Sequence, residues 1–240
     1  AGLGRLVGQM IVGGTCVTIA QFRTPAVLDA IERHGISDMI VVPSMLQSLL
    51  DDPGFAPQRV KSIDRIAFGA APMPPDLLDR ALAAWPHAEF FQAYGLTETA
   101  GAVCINLPSN HRPEARANGL LASVGRAGLG AEIMVVNEAG REVPRGEVGE
   151  IVVRGPMVME GYWHQPEASK AAFRDGWFRT GDAGRMQADG HLFIVDRLKD
   201  MIISGGENVY CAEVEAALRS HGAVAHAAVI GLPDARWGET

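Results

Sequence analysis

The sequence predicts a mixed fold, α/β passing into α+β: a parallel sheet flanked by helices, then a small antiparallel β-barrel, then the start of a small C-terminal α+β domain. Three observations predict it. Apolar strand-like runs alternate with helical patterns from Met10 to Phe91, which is the signature of βαβ units. After Gly101 the apolar runs become short, alternating and separated by glycine. From Lys199 a new unit begins, with a short apolar run, a glycine pair, a helix and a last strand.

Each element has its own reason. MIVGGTCVTIA reads as a first strand, PAVLDAIERHG as a helix, DMIVV as a strand, PSMLQSLLDD as a helix, IDRIAFGA as a strand, PPDLLDRALAAWP as a helix and AEFFQ as a strand. Proline stands at or near the first turn of each helix, at Pro25, Pro43 and Pro74, and Gly35 occupies a C-terminal cap position. Farther on, AEIMVVN, EVGEIVVRG and GHLFIVD read as antiparallel strands joined by turns at EAGRE, PRGE and ADG. The last unit has a helix from Cys211 to Arg219 and a strand from Ala223 to Ile230.

The composition, 240 residues with 48% hydrophobic and 20% charged, suits one large domain or two unequal ones. A formal charge of −7 argues against a nucleic-acid backbone or an anionic membrane as the main partner, since either requires a basic face. Small-molecule chemistry is favoured. The 3 cysteines, Cys16, Cys104 and Cys211, lack CxxC spacing, so no zinc site or disulfide framework is expected, and a reducing cytoplasm fits. Cys104 reads as core. The run Met10 to Ala20 is broken by Gly13 and Gly14 and is too short to cross a bilayer, so no integral membrane segment is expected. Both ends read as cut, the first lacking a methionine and the last stopping just after an apolar run.

Candidate chemistry begins at FQAYGLTETAG, Phe91 to Gly101, beyond a buried strand, where open α/β sheets bind ligands. Gly95 would allow close backbone approach, Tyr94 a face for a planar base, Thr97 a donor to a phosphate oxygen, and Glu98 a carboxylate for a hard cation such as Mg²⁺. The same residues equally suit a turn capping a helix. FGAAP, Phe68 to Pro72, ends a strand in small residues that either permit tight packing or leave room for a flat ring. DGWFRTGD, Asp175 to Asp182, is read with Gly176 and Gly181 as turns delivering Asp182, which could accept from two ribose hydroxyls or stand exposed in a hairpin. In VDRLKDMIISGGENVYCAEVE, Arg197 could donate to a ribose or phosphate, or could form a solvated charge cluster with Lys199 and Asp200. Ser204, Gly205 and Gly206 could admit a narrow chain, or form a plain hairpin turn.

As a set, YGLTE, GWFRTGD and DRLKDMIISGGEN, in this order and spacing, resemble the adenylate-forming, AMP-binding superfamily of acyl-CoA synthetases, luciferases and nonribosomal adenylation domains. The resemblance covers essentially the whole chain. It implies residues 1–197 as the C-terminal part of the large AMP-binding domain, α/β to about 105 and barrel over about 120–197, with a small domain beginning at 198 after a hinge. It implies an adenine-side wall at Gly69, Ala70 and Ala71, and a segment between adenine and acyl group at Gln92, Ala93, Tyr94 and Gly95. It implies a phosphate contact at Thr97, a magnesium-associated carboxylate at Glu98, and ribose contacts at Asp182 and Arg197. Lys199 matches the hinge, and Ser204, Gly205 and Gly206 the wall of a coenzyme A pantetheine tunnel. Glu207, Asn208 and Trp237 resemble the acyl- and aryl-CoA synthetase branch.

The implied reaction joins a carboxylic acid to AMP, using MgATP, and then to the thiol of coenzyme A. Two parts of the family pattern fall outside the chain: a phosphate-cradling loop expected before Ala1 and a lysine expected after Thr240. Cys211 stands where many relatives have proline. The alternatives are an adenylating enzyme loading a carrier-protein thiol, and a catalytically incomplete nucleotide-binding module.

Overall fold

The structure, a computed structural model, describes residues 2–71, 73–112, 115, 118–224 and 226–240, with backbone alone at residues 2 and 3. It divides into two compact units, Ala1–Gly128 and Leu129–Thr240.

In the first unit, helix α1 (Gly2–Ile11) is followed by α2 (Thr24–His34), β1 (Asp38–Val41), α3 (Pro43–Asp51), β2 (Arg65–Gly69), α4 (Pro75–Ala84), β3 (Glu89–Leu96), β4 (Gly101–Asn106) and β5 (Arg126–Ala127). Strands β1, β2 and β3 pair in parallel, joined through α3 and α4, as the alternating pattern predicts. β4 then turns back antiparallel on β3, and β5 on β4, giving the order β1-β2-β3-β4-β5. Leu28 and Ile31 of α2, Leu46 and Leu49 of α3, and Leu77, Leu78 and Ala81 of α4 share one core with Ile66, Phe68 and Phe90. The prolines lie at the starts of α2 and α3 and just before α4, and Gly35 caps α2 at φ 58.

The expected first strand is not formed. Met10 and Ile11 complete α1, and Val12 to Ala20 joins no ladder. An apolar run interrupted by two glycines carries no periodicity that separates strand from helix, and the helical seam set by Leu6, Val7 and Met10 prevails locally.

The second unit holds β6 (Glu132–Val136), β7 (Val148–Arg154), α5 (Pro166–Ala172), β8 (Phe173–Arg174), β9 (Trp177–Met186), β10 (Leu192–Arg197), β11 (Ile202–Ser204), β12 (Glu207–Val209), α6 (Cys211–Arg219), β13 (Pro233–Asp234) and β14 (Gly238–Glu239). The larger sheet is antiparallel in the order β10-β9-β7-β6, with β8 on β9. Val135, Ile151, Val153, Phe178 and Leu192 are buried from it. A smaller sheet runs β12-β11-β14-β13. Helix α6 spans the expected residues. Among the described residues of Ala223 to Ile230 there is no strand, because β11 takes β14 as its partner and Ile230 is left largely in solvent. The boundary expected at 197/198 falls inside this second unit.

Candidate active site

In the first unit, parallel pairing aligns the carboxyl ends of β2 and β3, with Phe68 opposite Gln92 and Gly69 opposite Ala93. The segments Gly69–Ala71 and Gln92–Gly95 are therefore neighbours at the sheet end where α/β proteins bind ligands. Pro72 lies outside the described residues. Strand alternation divides these positions between two faces. Gln92 and Tyr94 continue the buried face of Phe90 and Phe68, whereas Ala93 and Gly69 share the opposite one. Tyr94 is thus nine-tenths buried in its own unit, at 9% exposure, and the face expected for a planar base is largely covered.

Three small residues here have specific reasons. A Cβ on Gly69 would collide with the Ala93 carbonyl oxygen, so glycine is required by the strand pairing itself. A Cβ on Gly95 would collide with the Gly101 carbonyl where β4 returns past a bulge between Tyr94 and Gly95. A side chain at Gly95 would therefore meet the backbone of β4. Ala70 has φ 66, a left-handed conformation uncommon outside glycine, and it is exposed beside Gly69.

Thr97–Thr99 form one turn of 3₁₀ helix linking β3 to β4. Thr99 holds it together: its hydroxyl accepts from the Leu96 amide at 3.0 Å and lies 2.8 Å from the Gly101 carbonyl, to which it donates. That leaves Thr97 exposed and Glu98 half-buried on the outside of the turn. One carboxylate suits a magnesium ion that takes its remaining ligands from nucleotide phosphates and water. No cluster of three acidic, histidine or cysteine side chains able to hold a metal occurs among the described residues.

In the second unit, GWFRTGD is not a pair of turns. Gly176 does turn, together with Asp175, the two at φ 78 and 49 in a two-residue hairpin between β8 and β9. Gly181, at φ 71, lies inside β9, because that strand is paired on both sides, with β7 and β10. The ladder to β7 slips beside it, between Glu150 and Val152, and such bulges re-aim side chains. Thr180 Oγ1 donates to the Ile151 carbonyl at 2.7 Å and accepts from the Asp182 amide at 3.1 Å, fixing the kink. Glu150 accepts from the Gly181 amide at 3.3 Å and from Arg179 Nε at 2.9 Å.

The bulge presents Asp182 to Arg197, its register partner on β10, whose Nε donates to Asp182 Oδ1 at 2.8 Å. Asp182 is 3% exposed, which overturns the reading of an Asp in an exposed turn. Lys199 is exposed just beyond β10. Gly205 and Gly206, at φ 60 and 89, are the two-residue loop of the β11–β12 hairpin. A Cβ on Gly205 would lie 2.6 Å from the Trp237 ring, and the Gly205 amide donates to the Trp237 carbonyl at 2.7 Å. The glycine pair is therefore an ordered turn packed beneath an aromatic ring, with Ser204 half-buried before it.

Asp196 was not foreseen from sequence. It accepts from its neighbour Arg197 at 2.7 Å and from the Ala212 amide at 3.2 Å, tying β10 to the first turn of α6 across the expected hinge. Cys211 Sγ donates to the Asp200 carbonyl at 2.9 Å in the same junction, a contact that a proline at this position could not make. An aspartate preceding the Arg-Leu-Lys of this motif was the available signal.

Two family models match, the AMP-binding enzyme over residues 1–163 and the AMP-binding enzyme C-terminal domain over 213–240. A feruloyl-CoA synthase of an Amycolatopsis species is 42% identical over 96% of this chain and 45% of its own length. The fatty acid–[acyl-carrier-protein] ligase ScoC of Streptomyces coeruleorubidus is 40% identical over 95% of this chain and 43% of its own. The solved o-succinylbenzoate CoA synthetase of Bacillus subtilis, in complex with its acyl-adenylate intermediate, aligns with TM-score 0.86 and 38% identity, over 99% of this chain and 47% of that one. The chain thus spans under half the length of the relatives it matches. With the three motifs in place and a family model across about two-thirds of its residues, the chain belongs to the AMP-binding enzyme family.

Proposed function

We propose that this chain is part of an ATP-dependent acyl-CoA synthetase, an acid–thiol ligase acting in the cytoplasm on a fatty or aryl carboxylic acid. The observation that carries the reading is the buried Asp182 aligned by a bulge with the half-exposed Arg197: an acceptor and a donor positioned together suit the two hydroxyls of a ribose. Gly69–Ala71 would flank the adenine, with Ala93 and Gly69 on the open face of the sheet. Thr97 would donate to a phosphate oxygen and Glu98 would hold the magnesium that neutralises phosphate charge.

In the first step a carboxylate oxygen attacks the α-phosphorus, the bond to the bridging oxygen breaks, and pyrophosphate leaves. In the second the coenzyme A thiol attacks the acyl carbon and expels AMP. Lys199 is the exposed pivot between the two steps. The Gly205–Gly206 turn offers a side-chain-free edge to the pantetheine arm. Positioning and charge stabilisation account for such chemistry without a covalent enzyme intermediate. No helix of the described structure is long and apolar enough to cross a membrane.

Pyrophosphate exchange and thioester formation by a longer protein containing this chain, tried against a panel of fatty and aryl acids, test the proposal. Adenylate without thioester would sink the coenzyme A assignment. Loading of a carrier protein is the second reading, favoured by the 40% identity to a carrier-protein ligase. Competition between free coenzyme A and a carrier protein separates the two. The isolated 240 residues are expected to show little or no adenylation; robust turnover by them would overturn that, and calorimetry with AMP tests them for weak nucleotide binding.

A further inference from the structure

Two buried side-chain atoms among the described residues have no hydrogen-bond partner, Gln92 Oε1 and His111 Nε2, and both belong to residues that adjoin Phe68. Gln92 is opposite Phe68 in the ladder and on the same face, while the His111 ring meets the Phe68 ring edge-on at 5.5 Å. The residues are 8% and 2% exposed, so bulk water does not serve either atom. Leaving one such acceptor unsatisfied is costly, and two in one neighbourhood point to one missing donor.

The turn bearing His111, Pro108–His111, is strapped to the end of β4. Asn106, opposite Gln92 in the β3–β4 ladder, donates to the carbonyls of Leu120 and Ser123 at 3.0 and 2.9 Å and accepts from Asn110 at 2.7 Å. His111 Nδ1 lies 2.9 Å from the Leu107 carbonyl, which can only accept, so Nδ1 carries the proton and Nε2 a lone pair. Gln92 Oε1 is likewise an acceptor. A single hydroxyl satisfies one of them; water, with two protons, satisfies both.

We propose that one ordered water is bound between Gln92 Oε1 and His111 Nε2, donating to each and joining β3, next to Ala93–Gly95, to the turn at Pro108–His111. Internal waters occupy sites of this kind, between polar atoms that the chain leaves unmatched.

A crystal structure of this chain at better than about 1.8 Å tests it, with an oxygen expected about 2.7–3.2 Å from both atoms. A dry gap, or direct contact between the two side chains, overturns it. Thermal unfolding of Gln92→Met, His111→Leu and the double variant gives a second measurement. The bridge predicts that each single change lowers the Tm by about 2–8 °C and that the double change lowers it by less than the sum. Strict additivity, or stabilisation by either single change, counts against the water.

Discussion

Asp182 and Arg197 face each other across β9 and β10, Oδ1 accepting from Nε at 2.8 Å, with the aspartate almost wholly buried and the arginine side chain half exposed. Truncating Arg197 leaves a carboxylate with little water and its main cation gone. Arg197→Ala is expected to destabilise the chain by about 1–3 kcal/mol, discounted from a fully buried pair because the arginine is solvated. Urea unfolding at low and high salt measures it. In calorimetry with AMP, Asp182→Ala should abolish binding that the parent chain shows; unchanged AMP affinity would remove Asp182 from the proposed ribose site.

Gly95 is held by its neighbour strand. Gly95→Ala places a methyl into the Gly101 backbone, which cannot rotate away, and should cost about 3 kcal/mol. Gly146→Ala, at φ 94 in open space, should cost only the left-handed penalty of about 1–2 kcal/mol. Denaturant midpoints compared side by side test the ranking, and equal costs would contradict it.

Ala70, at φ 66, is the converse case. Ala70→Gly relieves about 1–2 kcal/mol of left-handed strain and gives back about 0.4–1 kcal/mol to unfolded-chain entropy, so a net gain of up to about 1.6 kcal/mol is expected. A lower Tm for the glycine variant would show that the alanine methyl makes contacts worth more than its strain.

Stability should fall at both ends of the pH range. Burial pushes the Cys104 thiol up to about 12 from 9.0, so the folded chain keeps its proton where the unfolded chain loses it. That stability is complete below pH 9 and is lost as pH rises towards 12, by about 1.4 kcal/mol per unit at most. Burial of His111 acts oppositely, holding its pKa below 6.5 against the opposing pull of the Leu107 carbonyl. Its contribution is present above pH 6.5 and is lost as acid protonates the unfolded chain first. Unfolding free energies of Cys104→Ala and His111→Gln, measured from pH 5 to 10, should show flatter alkaline and acid limbs respectively. Parallel curves would exclude these two groups as the cause.

Much of the fold was legible because its signals are local. Proline at the helix starts, Gly35 at a C-terminal cap, and the switch from helical to alternating periodicity after Gly101 act through a few adjacent residues. Where local signals were thin the reading failed. Met10–Ala20 has apolar residues without a period, and Ala223–Ile230 has strand composition without an available edge.

The candidate site divides in the same way. Residue types and their order, from YGLTE through Asp182 to the Gly205–Gly206 pair, are properties of the sequence by itself, and they identify the family because each side chain brings its chemistry wherever it is placed. Direction belongs to the tertiary structure. That Asp182 turns inward to Arg197, that Gly95 serves β4, and that Gln92 and His111 converge on Phe68 all depend on ladder register and on bulges. Those features arise from pairing between residues distant in the chain, and a slip of one position would send the side chains of Gln92, Asp182 and Arg197 to the opposite face.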